Sequence, residues 1–313
     1  MKQYILKTEK HHIKTSIDYK KELNEQQYDA VTAGDGPLLV LAGAGSGKTR
    51  TLTYRVSYLI ERGFNPSQIL IVTFTNRASR EMLQRVEMLL SGKIKGIWGG
   101  TFHHVGNLLL RKYAKALGYE SNFTILDNED AKDLLSDCIV ESGIDTKAIR
   151  FPKAGILENI GSLSVNCEKE IADTISEQYP YLEELTPEIE KALKTYKEKK
   201  QKANLMDFDD LLLNWHRLLK EQPKIKERLA AQFQHILVDE FQDTNKLQSD
   251  IIDEMASHYK NLMVVGDDAQ SIYSFRGAEF RNILAFKERY PDVQIFKLET
   301  NYRSTPQILH LAN

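Results

Sequence analysis

Cysteine is almost absent from this chain. Only Cys138 and Cys167 occur in 313 residues, and neither has neighbours at metal-ligand spacing. That excludes a disulfide scaffold and a cysteine-built zinc site, and it suits a reducing, cytoplasmic compartment. Long apolar runs are missing too: no segment approaches membrane-spanning length, and the lysine-rich stretch Met1–Leu23 lacks the apolar core of a signal peptide. Nor does charge of either sign dominate. Lys and Arg number 42 against 44 Asp and Glu, a formal charge of −2, so a polyanion must be met by a local patch and not by the whole surface. Internal repeats and low-complexity tracts are also lacking. What is present is an ordinary soluble composition, 42% hydrophobic and 27% charged, in a chain long enough for one large or two ordinary domains.

Short apolar runs recur at Leu38–Leu41, Ile69–Phe74, His235–Val238, Leu262–Val265 and Gln294–Leu298, separated by helical stretches. That alternation predicts an α/β fold, a mostly parallel sheet with helices on both faces, in which ligands gather at the carboxyl ends of the strands. Between Leu117 and Lys202 the pattern turns helical throughout, with no strand-like run, and reads as a helical insertion. Its end, Lys191–Lys202, carries six lysines against Glu198 alone. They read either as a solvated helix face or as a contact for a phosphate backbone.

Leu38–Leu41 leads straight into Ala42-Gly43-Ala44-Gly45-Ser46-Gly47-Lys48-Thr49 and then Arg50. A strand feeding a glycine-rich turn that closes in Gly-Lys-Thr at a helix start is the layout of a phosphate-binding loop. Its glycines let backbone N–H groups converge on phosphate oxygens, Lys48 reaches the β- and γ-phosphates, and the Thr49 hydroxyl ligates Mg²⁺. Ile236-Leu237-Val238 runs into Asp239-Glu240, where Asp239 is expected to hold Mg²⁺ and Glu240 to orient and deprotonate the attacking water. By itself such an acidic pair is as easily a surface feature.

Leu262–Val265 delivers Gly266–Gly277. There Gln270 is expected to sense the γ-phosphate or the attacking water, and Tyr273, Phe275 and Arg276 suit a stacked base. Phe74-Thr75-Asn76 and Phe102-His103 also follow strands, each offering an aromatic ring beside hydroxyls or imidazoles on which a base could stack. The alternative makes the phenyl rings core residues and the hydroxyls helix caps. His103-His104 has no third ligand at suitable spacing for a metal. In Asn301-Tyr302-Arg303-Ser304, Arg303 is placed to touch phosphate from the far side of a cleft and Tyr302 to stack on a nucleobase.

Taken in order, these strings resemble superfamily 1A DNA helicases of the UvrD/Rep/PcrA type from Leu23 onward. Leu23-Asn24-x-x-Gln27-x-x-Ala30-Val31 resembles the family's Q motif, whose glutamine reads the adenine edge. Ala42–Thr49 resembles motif I, in which alanine in first place is usual. Thr73–Ala78 resembles motif Ia, Thr101-Phe102-His103 the next DNA-contacting motif, and Asp207–Leu211 the short motif before motif II. Val238–Thr244 resembles motif II with Phe241 where tyrosine is common, and Gly266–Gly277 resembles motif III with Phe275 where tryptophan is frequent. Asn301–Ser304 resembles motif IV, in which tyrosine packs on adenine and arginine meets the γ-phosphate.

The resemblance implies a P-loop NTPase of RecA-like fold with an inserted helical domain. Residues 23–117 and 203–290 would form domain 1A, 118–202 domain 1B, and 291–313 the start of a second motor domain, 2A. Residues 1–22 are an N-terminal extension that the resemblance does not cover, and they are expected to lack order. It further implies ATP and Mg²⁺ as cofactors, single-stranded DNA and single-/double-strand junctions as substrates, 3′-to-5′ translocation, repair or replication proteins as candidate partners, and no membrane.

The family's motifs V and VI lie beyond motif IV and add another arginine at the γ-phosphate, whereas this sequence stops ten residues after Arg303. Such an arginine is worth roughly 10³–10⁵ in rate. The expectation is therefore the N-terminal portion of a longer helicase, weak in turnover by itself. A P-loop kinase or switch GTPase would need an acceptor or guanine-recognition motif, which the sequence does not offer. A nucleotide-gated DNA-binding scaffold is opposed by the intact Lys48, Asp239 and Glu240.

Overall fold

The computed structural model describes residues 17–92, 94–146, 149–267, 281–305 and 307; Gln270, Tyr273, Phe275 and Arg276, expected at the site, lie outside them. Helices α1 (Tyr19–Glu22) and α2 (Glu25–Thr32) precede β1 (Leu38–Ala42), α3 (Lys48–Glu61), β2 (Ile69–Thr73), α4 (Asn76–Leu89), β3 (Trp98–Thr101) and α5 (Phe102–Tyr113). The next stretch holds β4 (Thr124–Ile125), α6 (Asn128–Glu141), α7 (Ala154–Cys167), α8 (Ile171–Gln178), α9 (Thr186–Lys202) and β5 (Leu205–Met206). The chain then runs through α10 (Phe208–Glu221), α11 (Pro223–Gln232), β6 (His235–Val238), α12 (Lys246–Ala256), β7 (Leu262–Gly266), α13 (Arg281–Arg289) and β8 (Gln294–Leu298).

Six strands form one sheet in the order β3-β2-β6-β7-β1-β8, every pairing parallel. Side chains alternate across a strand, so each apolar run divides between two cores. Leu39, Leu70, Val72, Ile236, Val238 and Val264 meet α5, α10 and α12 on one face through Val105, Trp215 and Ile251. Leu38, Val40, Ile69, Ile71, Leu237 and Val265 meet α3 and α4 on the other through Leu52, Val56, Met82 and Val86. Each such aliphatic side chain, fully buried, contributes roughly 1.5–3 kcal/mol. The two-sided burial therefore fixes the register, because a slip of one residue would exchange the two faces.

Residues 118–202 carry a core of their own, including Leu135, Leu157, Ile160, Ile175 and Ile189. They are not purely helical as expected. Thr124–Ile125 pairs in parallel with Leu205–Met206, a ladder too short to leave a strand-like run in the sequence. Within the lysine-rich end one residue departs from both readings: Lys200 is buried and ion-paired with Asp207 and Asp210, whereas Lys191, Lys194, Lys197 and Lys202 are exposed and Lys199 is half-buried.

Two further expectations are corrected at the ends of the described chain. Residues 17–22 are ordered: Asp18 caps α1, and Tyr19 donates to Glu61 at 2.6 Å while packing edge-on against Tyr54 and Tyr58. Residues 294–298, expected to open a second lobe, form β8 and pair with β1 along its whole length. They join the first sheet because β1 otherwise leaves an unpaired backbone edge beside the phosphate loop. Among the described residues no helix is long and apolar enough to cross a membrane.

Candidate nucleotide and nucleic-acid site

The glycine-rich turn leaves β1 at its carboxyl end, and each glycine that bends it has a reason to lack a side chain. Gly45 and Gly47 adopt left-handed φ values of 76° and 92°, which L side chains rarely accept. A Cβ on Gly45 would also lie 2.5 Å from Arg303 Cβ, and one on Gly47 2.6 Å from Gln27 Nε2. Ser46 Oγ donates to the Gly43 carbonyl at 2.7 Å, closing the turn on itself. Ala42 is the buried last residue of β1, and Gly43 is exposed. The segment Asn301-Tyr302-Arg303 folds over the turn. Asn301 Nδ2 donates to Ala44 O at 2.7 Å, and the Tyr302 N–H donates to Gly45 O at 2.8 Å.

Lys48 and Thr49 begin α3, and Asp239 and Glu240 end β6, with β7 lying between β1 and β6. Across that strand Lys48 Nζ lies 3.0 Å from Glu240 Oε2, and Thr49 stands beside the Asp239 carboxyl and favours its charged form. Burial, with the neighbouring Glu240 charge, pushes the Asp239 carboxyl up to about 7; the same two causes push Asp243 up to about 6. Glu240 stands at φ 49°, a left-handed residue at the turn after β6. Gln242, which the sequence reading passed over, ties the turn together. Its Nε2 donates to Glu240 Oε2 at 2.9 Å, and its Oε1 accepts from the Asp267 N–H at 3.0 Å. The available signal was an amide two residues beyond the acidic pair, able to donate and accept at once.

Two residues expected on the base side, Gln27 and Tyr302, sit around this loop with Arg50, which follows Thr49 in the same string. Gln27 is only 2% exposed. Its Nε2 donates to Ser46 O at 3.1 Å and its Oε1 accepts from Asn24 N–H at 3.4 Å, so in this structure its amide braces the loop. Arg50 lies over the Tyr54 ring and donates to the Glu22 carbonyl at 2.7 Å. Tyr302 is 60% exposed, its hydroxyl accepting from Asn24 Nδ2 at 2.7 Å. Arg303 is exposed beside the loop.

The remaining candidates lie after β2 and β3, at the same carboxyl edge. Phe74 is half-buried and Asn76 exposed at the start of α4. The Thr75 hydroxyl accepts from the Ala78 N–H at 3.1 Å, so it caps α4. Phe102 must be corrected: it is 3% exposed and packs in the core near Trp215, where no base can stack. His103, half-buried, meets the ring of Phe208 edge-on at 5.9 Å. Phe208 is 46% exposed. It lies in the Asp207–Leu211 string but was not singled out, because exposure at a helix start cannot be read from composition. The structure thus offers Phe208 where Phe102 was expected.

Residues 23–291 match the family described as the UvrD/REP helicase N-terminal domain. Over 294 residues the chain is 42% identical to a protein named ATP-dependent DNA helicase PcrA from Staphylococcus epidermidis, covering 94% of this chain and 40% of that protein. A protein of the same name from Staphylococcus aureus is 41% identical over 292 residues, covering 93% and 39%. The chain therefore spans about 40% of the length of the curated relatives it matches.

Proposed function

Because the chain belongs to the UvrD/REP helicase family, we propose that it is the nucleotide- and DNA-binding motor lobe of an ATP-dependent DNA helicase that tracks 3′-to-5′ along single-stranded DNA. The observation that carries this reading is the meeting of Lys48 and Thr49 with Asp239 and Glu240 across β7. It brings a phosphate-binding cation and a water-activating carboxylate to one point at the carboxyl edge of the sheet.

In this reading the loop N–H groups and Lys48 bind the β- and γ-phosphates of ATP. Tyr302 and Arg50 flank the base, and Arg303 meets the γ-phosphate. Glu240 holds the attacking water and takes its proton, with Gln242 fixing the carboxylate's orientation. The Thr49 hydroxyl and the Asp239 carboxylate are hard oxygen donors that fit Mg²⁺. The ion, when bound, neutralises charge on the phosphate oxygens and keeps Asp239 ionised despite its burial. Phe74, Asn76, His103 and Phe208 form the proposed DNA-facing edge, where rings stack on bases without regard to sequence.

The test is nucleotide binding and hydrolysis with and without a single-stranded oligonucleotide. Lys48→Ala should abolish nucleotide binding, and Glu240→Gln should bind nucleotide while losing turnover. Turnover unchanged in Glu240→Gln would overturn the assignment. Binding without any hydrolysis in the parent chain would favour a nucleotide-gated scaffold.

A further inference from the structure

Three polar side chains, the half-buried Asp209 and the buried Asn166 and Asn245, join the DNA-facing edge to the turn that carries Glu240. Asp209 is the residue after Phe208 and lies in the first turn of α10. Its Oδ1 accepts from Asn166 Nδ2 at 2.9 Å, and Asn166 Oδ1 accepts from Asn245 Nδ2 at 2.7 Å. Asn166 and Asn245 are 8% and 7% exposed. Asn166 belongs to α7 of the insertion, whereas Asn245 caps α12 immediately after the acidic turn. That turn is held at its end by Thr244, whose hydroxyl donates to Phe241 O at 2.6 Å and whose carbonyl accepts from Asn282 Nδ2 at 2.7 Å.

The chain of bonds has one polarity. Asn245 Oδ1 is occupied by the Gln248 N–H at 2.8 Å, so only its NH₂ can reach Asn166. Asn166 must then present its oxygen to Asn245 and its NH₂ to the carboxylate, which only accepts. Rotating the Asn245 amide would break its bonds to Asn166 and Gln248, and rotating the Asn166 amide would break those to Asp209 and Asn245 as well as those to Ser162 O and Oγ at 2.9 and 3.1 Å in its own helix, so the polarity of the chain is fixed at both amides.

Resting on the helicase-lobe reading, we propose that Asn166 is a positioning residue that couples DNA contact at His103–Phe208 to the nucleotide site, by way of Asp209 and the Asn245 cap. Its role is in coupling and not in chemistry, since it touches neither site.

The measurement is the affinity for a fluorescent, non-hydrolysable ATP analogue, with and without a saturating oligo(dT), on the full chain. The ratio of the two is the coupling, roughly 5–150-fold where two sites communicate. Asn166→Asp sets two carboxylates face to face and is expected to bring the ratio to about one while the DNA-free affinity stays within about twofold. Asp209→Asn alone keeps the bond by turning its amide, and the ratio should stand. Combining Asn166→Asp with Asp209→Asn restores both bonds of the relay, because residue 166 then accepts from both neighbours and from the Ser162 hydroxyl, losing only its bond to the Ser162 carbonyl, and the ratio should return. A wild-type ratio retained in Asn166→Asp overturns the relay, as does a double variant that fails to regain it. A ratio of one in the unsubstituted chain overturns the helicase-lobe reading itself, before any substitution is made.

Discussion

A single methyl group at Gly45 would test how tightly the phosphate loop is clasped. The residue is left-handed, and an added Cβ would collide with Arg303. The backbone conformation alone costs roughly 1–2 kcal/mol for an L side chain. Gly45→Ala is therefore expected to lower the thermal unfolding midpoint and weaken nucleotide affinity together, whereas Gly43→Ala, with open space around its Cβ position, should leave the midpoint unchanged. His235 makes a second residue-scale case. It lies in the sheet interior with its ring 4.4 Å from that of Phe64. Burial, aided by the Arg55 charge, pushes its imidazole down to about 4. The unfolded chain, with its histidine near the ordinary value of 6.5, binds more protons between the two values. Stability must then fall as pH drops through that window, by up to about 3 kcal/mol. Urea unfolding at pH 7 and pH 5 should show a smaller loss for His235→Phe than for the parent chain. Equal losses would show that His235 does not carry this pH dependence.

At the scale of elements, the motifs are mostly helix starts. Asn24, Thr75, Thr101, Asp207 and Asn245 cap α2, α4, α5, α10 and α12, each accepting an orphan N–H of its first turn. Chemistry-bearing residues are thereby held at the carboxyl edge by the same atoms that begin the helices. Asp207 does more, since with Asp210 it receives Lys200 from α9 and fastens the insertion to α10. Removing one member of a buried pair leaves uncompensated charge, a loss of roughly 3–5 kcal/mol. Lys200→Met should show that loss in chemical denaturation. Lys199→Met, whose partner Glu141 is exposed, should show none. Equal effects from the two would mean the insertion is held by its apolar packing alone.

For the whole molecule, the near-balance of charge leaves DNA affinity to a few local contacts, and the salt dependence of oligonucleotide binding should be correspondingly shallow. A ligand that binds only the folded state raises stability by about 2.7 kcal/mol at a hundredfold excess over its Kd. Mg²⁺ with an ATP analogue should therefore raise the unfolding midpoint. The rise should disappear in Lys48→Ala and shrink when the metal is chelated.

The parallel sheet was legible because buried strands between two helical layers must be continuous apolar runs, and Leu38–Leu41 and Leu262–Val265 are just that. The glycine-rich turn was legible because left-handed residues such as Gly45 and Gly47 demand glycine. Other assignments depend on neighbours distant in sequence. Phe102 and Phe208 are the same side chain chemically, yet one is in the core and the other on the surface. Lys200 sits in a run of similar lysines and alone is buried, because Asp207 and Asp210 reach it. β8 joins β1 only because the fold brings their backbones together. Local pattern by itself determined the long strands of the parallel sheet and the glycine-rich turn after β1. Tertiary structure decided which aromatic meets solvent, which cation is buried and which amides form a chain, because burial and partnership arise only when distant segments meet.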